Sequence, residues 1–116
     1  MEKDLFISEF SEEKNRITLK ILGEVDHHSA LPLRRAVDEM LVSKRPQTLV
    51  IDLSAVDFMD SSGLGFIMGR YTLMEKLGGR TVLRDPSEKT KKILSLAGIE
   101  RIIKIERTKK DKNEAK

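Results

Sequence analysis

The chain has 116 residues, of which 39% are hydrophobic and 35% are charged. This length suits one small domain with its own core and leaves no room for a second. Cysteine is absent, which excludes disulfides, thiolate catalysis and cysteine-ligated zinc. No apolar run approaches the roughly 18 residues of a membrane span, and the N-terminus lacks the basic-then-apolar order of a secretory signal. We therefore expect a cytoplasmic protein without membrane contact.

The net charge of +3 lies at the C-terminus. Residues 107–116 carry five basic and two acidic side chains, so residues 1–106 are neutral overall. We predict a single domain over residues 1–106 and a basic, disordered tail over residues 107–116. A basic arm can touch nucleic acid, but the neutral body gives it no supporting basic surface. We expect no direct nucleic-acid binding.

The first predicted elements are an antiparallel hairpin and a helix. L-F-I-S-E-F at Leu5–Phe10 and R-I-T-L-K-I-L at Arg16–Leu22 are strand-like, and polar S-E-E-K-N joins them. After G-E-V-D-H-H, Ser29 is a good N-cap for a first helix, with Pro32 in its first turn and its end near Ser43. Its inward positions at helical spacing are Leu33, Val37, Met40 and Leu41.

Strands and helices then alternate. T-L-V-I-D-L at 48–53 predicts a strand covered on both faces, and a second helix runs from about Ser62 to Leu77, where a glycine pair stops it. A strand at 80–84, a third helix that begins at D-P-S and ends at Gly98, and a short strand near 101–105 complete the chain. This order predicts an α/β fold, in which an N-terminal β-hairpin leads into a mostly parallel four- to five-stranded sheet packed by α-helices.

F-M-D-S-S-G-L-G, residues 58–65, is the most chemically distinctive stretch. Ser61 is a natural N-cap for the second helix. Capping does not explain the second serine, Ser62, or the neighbouring Asp60, or the glycines that keep the turn slim. An exposed serine here also suits phosphorylation, because a kinase supplies the base, magnesium and ATP, and a helix N-terminus favours a phosphate. The stretch predicts a phosphoacceptor.

Other chemistries fit these residues less well. A serine hydrolase elbow needs G-x-S-x-G, and Met59 and Leu64 occupy glycine positions of that motif. The glycines within 63–69 do not directly follow a first strand and lack the lysine of a phosphate-binding loop. His27 and His28 would point apart in an extended chain, and no further histidine or cysteine completes a metal set. We expect no catalytic activity, no cofactor and no metal.

The second helix carries two apolar stripes. The stripe suited to the sheet comprises Leu64, Ile67, Met68, Tyr71 and Met74. Phe66, Leu73 and Leu77 lie roughly opposite, and they either pack on the neighbouring helix or contribute to a partner surface. Gly65 and Gly69 share one slim face, which lets another backbone come close.

Two stretches resemble the anti-sigma factor antagonists of the STAS domain family, and most closely the sporulation members. They are G-E-V-D-H-H-S-A at 23–30 and F-M-D-S-S-G-L-G-F-I-M-G-R-Y at 58–71, and the likeness extends over residues 5–106. It implies an STAS-like fold and a partner switch. The unphosphorylated antagonist binds an anti-sigma factor that is also a serine kinase, so that the sigma factor is released. The kinase then phosphorylates the antagonist and dissociates, and a serine phosphatase reverses the modification.

The resemblance implies that Ser61, the first serine of D-S-S-G, is the phosphoacceptor, and that Asp26 lies on a nearby loop. The predicted partner-binding surface comprises Asp26, His28, Asp60, Ser62, Gly63, Gly65, Phe66 and Gly69. ATP would belong to the kinase, so we expect no cofactor on this chain. STAS domains also serve transporters and stress complexes. A regulatory or nucleotide-binding module that acts on a different partner is therefore the alternative.

Overall fold

The computed structural model describes residues 5–108, which fold around a sheet of five strands. In chain order the elements are β1 (Phe6–Ser11), β2 (Arg16–Ile21), β3 (Gly23–Val25), α1 (His27–Lys44), β4 (Thr48–Asp52), β5 (Val56–Met59), α2 (Ser61–Lys76), β6 (Arg80–Arg84), α3 (Glu88–Leu96), a 3-10 turn (Ile99–Arg101) and β7 (Lys104–Glu106). No helix within these residues is both long and apolar enough to cross a membrane.

The main sheet has the order β1-β2-β4-β6-β7. β1 is antiparallel to β2, and every other neighbouring pair is parallel. This confirms the predicted hairpin and the mostly parallel sheet. The final strand begins later than predicted, at Lys104, because the chain first makes a 3-10 turn over Ile99–Arg101.

A second, two-stranded sheet is formed by β3 and β5, which pair in parallel. Neither strand was predicted. They are only three and four residues long, and the acidic residues Glu24 and Asp57 interrupt the apolar pattern that a longer strand would show. This small sheet positions the starts of α1 and α2.

The core lies between one face of the main sheet and the helices, and it is almost wholly aliphatic. In α1 the predicted positions Leu33, Val37 and Leu41 are buried, whereas Met40 is half-buried. These side chains join the alternating inward residues of β2 (Ile17, Leu19 and Ile21) in a single cluster. The helical periodicity of α1 was therefore interpreted correctly.

The buried face of α2 differs from the predicted one. Ile67 and Met74 are fully buried as expected, but the other members of the predicted sheet stripe are only half-buried. Gly63, Phe66 and Arg70 are buried instead. Phe66 belongs to the core cluster, and Leu73 and Leu77 pack against that cluster.

The start of α1 also differs from the prediction. Asp26, not Ser29, is the N-cap, because its backbone is extended and its carboxylate accepts from the backbone of the first turn. The helix therefore begins at His27, which places Pro32 beyond the first turn. Its end at Lys44 lies one residue past the predicted Ser43.

The predicted tail begins with two residues that contact the domain. The guanidinium of Arg107 lies 3.5 Å from the carboxylate of Glu88. The backbone N–H and hydroxyl of Thr108 donate to Asp85 at 2.9 and 2.6 Å. The rest of the predicted tail, residues 109–116, lies outside the described residues.

Candidate functional site: two helix starts and the groove between their helices

The small sheet places two helix starts side by side. Val25 at the end of β3 lies opposite Met59 at the end of β5, and the backbone N–H of Asp60 donates to the carbonyl of Val25 at 3.4 Å. Each strand is followed by an aspartate N-cap. α1 therefore begins at His27 and α2 at Ser61, next to each other.

The start of α2 is capped by Asp60. Its carboxylate accepts from the backbone N–H of Ser62 at 2.8 Å, and its carbonyl accepts from Gly63 at 2.9 Å and Leu64 at 3.2 Å. The prediction that Ser61 is the N-cap is wrong. An N-cap needs an extended backbone, and Asp60 has it (φ −114°, ψ −161°). Ser61 is the first helical residue.

The Ser61 side chain is exposed. Within residues 5–108 its hydroxyl has no hydrogen-bond partner. Because the serine is not needed as a cap, its oxygen is available to another molecule. It also lies at the positive end of the α2 dipole, where an added anion is stabilised.

The start of α1 is closed by a capping box. The carboxylate of Asp26 accepts from the backbone N–H groups of His28 at 3.0 Å and Ser29 at 3.1 Å. The Ser29 hydroxyl accepts from the backbone of Asp26 at 3.1 Å and donates to the carbonyl of Glu24 at 3.1 Å. The hydrogen bond from the Ser29 backbone, with a smaller contribution from that of His28, lowers the pKa of Asp26. Asp26 is therefore ionised at neutral pH.

A surface groove runs between the N-terminal halves of the two helices. The α1–α2 groove is lined by His27, Ala30, Leu31, Arg34, Ser62, Gly65 and Phe66. Leu31 is 44% exposed, whereas Phe66 is only 3% exposed. Ser61 does not itself line this partly apolar groove, but it directly precedes the groove residue Ser62 at the first position of α2.

The three glycines of α2 fall into two classes. A Cβ on Gly63 would lie 2.3 Å from the Cγ of Met59, so this glycine is required by internal packing. A Cβ on Gly65 or Gly69 would meet nothing within 4 Å. Glycine in a helix costs about 1 kcal/mol relative to alanine. Within residues 5–108, no close packing accounts for that cost at Gly65 and Gly69.

A partly buried ion pair also joins the two helices. Arg70 is 5% exposed, and its Nε lies 2.7 Å from a carboxylate oxygen of Asp38 in α1. The guanidinium also donates to the carbonyl of Phe66 at 3.0 Å and lies 5.1 Å from that ring's centroid. Burial lowers the pKa of Arg70, and Asp38 opposes that shift. No role was predicted for Arg70, although it lies in the quoted G-R-Y triplet.

The structure brings some of the predicted surface residues together and separates others. Asp60, Ser62 and Gly65 lie at the start of α2 beside the groove. Asp26 and His28 line a separate depression next to β3, and His27 takes the groove position instead. The buried Gly63 and Phe66 offer little side-chain surface to a partner.

The two histidines do not point apart. Because they lie in the first turn of a helix rather than in an extended chain, their ring centroids are 5.8 Å apart in an edge-on arrangement. Within residues 5–108 no group of three or more histidine, cysteine or acidic side chains could hold a metal ion.

Known proteins are similar to this chain in sequence and in fold. The STAS domain family matches residues 9–112. An anti-sigma F factor antagonist of Paenibacillus polymyxa is 32% identical over 97 residues, which is 84% of this chain and 83% of that protein. An anti-sigma-B factor antagonist of Bacillus subtilis (strain 168) is 33% identical over 94 residues, 81% of this chain and 84% of the relative.

A solved structure agrees with the sequence relationship. The anti-sigma factor antagonist SpoIIAA in its unphosphorylated form superposes with a TM-score of 0.77 at 25% identity, covering 94% of this chain and 92% of that one. The predicted fold class is confirmed. The matched family, the relatives and the superposed fold together establish that this chain belongs to the STAS domain family.

Proposed function

We propose that this protein is a cytoplasmic anti-sigma factor antagonist whose binding is switched off by phosphorylation of Ser61. In its unmodified form it binds an anti-sigma factor that is also a serine kinase, and the sigma factor is released. The single observation that carries the assignment to Ser61 is its exposed hydroxyl, which has no hydrogen-bond partner within residues 5–108. The sequence similarity to anti-sigma factor antagonists supports the choice of an anti-sigma factor as the partner.

The reaction requires little from this chain. The Ser61 oxygen attacks the γ-phosphorus of ATP, the bond to the bridging oxygen breaks, and ADP leaves while the serine proton passes to a base on the kinase. This chain contributes a hydroxyl that protrudes from the surface and a helix N-terminus that stabilises the product anion. Asp60 holds the first turn of α2, and so holds the acceptor in place. A serine phosphatase would restore the free hydroxyl.

The α1–α2 groove is the proposed docking surface. Gly65 keeps one wall low, Leu31 offers exposed apolar surface, and Arg34 supplies a positive charge. The ion pair between Arg70 and Asp38 fixes the spacing of the two helices. A partner segment seated here would contact Ser62 and lie against the Ser61 hydroxyl.

Phosphorylation would then act directly at the edge of the interface. A phosphoserine carries about −1.5 to −2 charges at neutral pH, and at Ser61 it would lie beside the carboxylate of Asp60. Repulsion and desolvation of about 4 kcal/mol would lower the affinity about a thousandfold. No refolding is needed, because the fold places no demand on the Ser61 side chain.

The test is a pair of binding titrations with an anti-sigma factor kinase from an organism whose antagonist is related. Calorimetry gives the affinity of the unmodified protein. A second titration follows complete phosphorylation by that kinase and Mg-ATP. We expect tight binding before modification and a loss of about a thousandfold after it. Equal affinities in the two titrations would contradict the proposal.

A control distinguishes this proposal from the nucleotide-binding alternative. ATP and GTP are titrated into the isolated protein, without any kinase. The proposal predicts no heat of binding and no hydrolysis, since ATP belongs to the kinase. Micromolar binding with turnover would assign the glycine-rich helix a function of its own.

A further inference from the structure

We propose that the outer edge of β1 is a self-association surface, through which two copies of this chain join their five-stranded sheets. β1 is one edge of the main sheet. Its four central residues, 7–10, are exposed, and Ile7 is 57% exposed. This surface lies on a different element from the two helix starts, so the inference does not rest on the proposed function.

The two edges of the sheet differ in how they are protected. β7 has only three residues, and the chain beyond it is bonded to Asp85 and Glu88. β1 has six residues, F-I-S-E-F-S. Natural edge strands usually avoid pairing by means of charged side chains (lysine above all), proline, bulges or short length. β1 has no lysine, proline or bulge, and its one charged residue is Glu9.

The hydrogen-bond pattern identifies the free backbone groups. The backbone N–H of Leu22 donates to the carbonyl of Leu5 at 3.0 Å, and these residues continue the register in which Phe6 lies opposite Ile21. In an antiparallel ladder the bonded residues alternate along the strand. The odd-numbered residues of β1 therefore face β2, and Phe6, Ser8 and Phe10 direct their N–H and carbonyl groups outward.

A second copy of β1 satisfies those groups in one antiparallel register centred on Ser8. Phe6 then lies opposite Phe10 of the second copy, Ser8 opposite Ser8, and Phe10 opposite Phe6. All three are hydrogen-bonded pairs, and the aromatic pairs lie on one face. The neighbouring registers are less favourable. If the second strand shifts by two residues in one direction, Glu9 lies opposite Glu9 and the charges repel; if it shifts in the other direction, fewer residues pair.

The side chains on the opposite face are also complementary. In this register Ile7 lies opposite Glu9 of the second copy, and within its own chain it lies opposite Lys20 of β2. The lysine and the glutamate can pair across the exposed isoleucine and cover it. A strand-to-strand contact of this length is at the small end of protein interfaces, so the dimer is weak and forms at high protein concentration.

The test is a cysteine trap, for which the chain has no background because it contains no cysteine. In the proposed register the two Ser8 Cα atoms lie about 5.5 Å apart, within the range that a disulfide bridges. Ser8→Cys should form a covalent dimer under a mild oxidant such as diamide. Ser11→Cys is the matched control, since the two copies of residue 11 lie about 20 Å apart, and it should stay monomeric.

A third variant tests association without a covalent trap. Ser8→Pro removes an outward N–H but no bond to β2, so the fold should survive, as a thermal melt will check. Sedimentation velocity from micromolar to millimolar concentration should show a monomer–dimer equilibrium for the wild type and only monomer for this variant. Equal cross-linking of the two cysteine variants would overturn the inference. Dimerisation of Ser8→Pro with wild-type strength, or a wild type that stays monomeric throughout, would also overturn it.

Discussion

The two helix starts that follow the small sheet are built in the same way, but they differ in whether a nearby serine hydroxyl is hydrogen-bonded. Each consists of a short parallel strand, an aspartate N-cap and a helix. At α1 the third helical residue is Ser29, whose hydroxyl is engaged in the capping box. At α2 the third residue is Gly63, and the nearby Ser61 hydroxyl has no partner within residues 5–108. At the start of α1, here called the closed start, the serine hydroxyl takes part in capping the helix. At the start of α2, the open start, the Ser61 hydroxyl is free to interact with another molecule.

Packing explains why the second start is not closed in the same way. A side chain at Gly63 would collide with Met59, the last residue of β5. The capping box that Ser29 forms at α1 therefore cannot be copied at α2. At the open start, capping of the helix by a side chain depends on Asp60, which accepts one hydrogen bond from the backbone.

Charge at the open start should have the largest effect. Ser61→Asp places a carboxylate next to the groove residue Ser62 and should weaken binding to the anti-sigma factor kinase about a hundredfold, or about 2.7 kcal/mol. Ser61→Asn is the matched control, because it has nearly the same shape without the charge. It should retain most of the affinity in calorimetry. Similar losses for the two variants would indicate a steric effect and contradict the electrostatic switch.

An attempt to close the α2 start should fail for steric reasons. Gly63→Ser supplies the residue type that forms the box at α1, but its Cβ must displace Met59. We expect a loss of about 2 kcal/mol in the free energy of unfolding, measured by urea titration. Met59→Ala in the same chain makes room, so the serine should then cost much less than in the wild type. A stabilised single variant would refute this account of the open start.

The two aspartate caps should differ in strength. Asp60→Ala loses one side-chain hydrogen bond and should cost about 1 kcal/mol. Asp26→Ala breaks a closed box with two backbone hydrogen bonds and should lower the melting temperature further. Ser61→Ala removes no cap, so it should leave the melting temperature nearly unchanged. A larger loss for Ser61→Ala than for Asp60→Ala would reverse the assignment of the cap.

The capping box at the start of α1 should also weaken in acid. Because the folded pKa of Asp26 lies below its ordinary value of 3.8, its contribution to stability is complete above the unfolded pKa and is lost as the pH falls through the folded pKa. Asp26→Asn lacks this titration. The difference in melting temperature between the wild type and this variant should shrink as the pH is lowered from neutral to about 3. A difference that does not change with pH would contradict the assigned hydrogen bonds.

The smallest expected effect comes from Gly65→Ala, which should change stability and partner affinity in opposite directions. Gly65→Ala replaces an exposed helical glycine that has open space around it, so the free energy of unfolding should rise by about 0.5 kcal/mol. Affinity for the kinase should fall, because the methyl group narrows the groove. Opposite signs in the two measurements are the expected signature. If stability and affinity rise together, Gly65 does not line the docking surface.

Much of this fold could be predicted because its long elements have regular patterns. The apolar spacing of α1 and the continuous run of β4 identify those elements without tertiary information. β3 and β5 were missed because strands of three or four residues carry too little periodicity. Their existence depends on pairing with each other, which no local pattern records.

The sequence predicted that a helix starts at the candidate site, but it did not give the residue that caps that helix. The D-S-S-G stretch predicted an acceptor at a helix start, yet both caps were assigned one to three residues too late. Aspartate and serine are nearly equal as caps, so the sequence did not determine which of the two candidates at each helix start would serve. The partner of Arg70 could not be predicted, because Asp38 lies 32 positions away in the sequence.

The most direct measurement is the position of the phosphate after incubation with an anti-sigma factor kinase and Mg-ATP. Fragmentation mass spectrometry distinguishes Ser61 from Ser62, and Ser29 serves as an internal reference for an engaged hydroxyl. The account predicts one phosphate, on Ser61, and no incorporation into Ser61→Ala. A phosphate on Ser62, or undiminished incorporation into Ser61→Ala, would contradict the claim that the free hydroxyl at the open start is the switch.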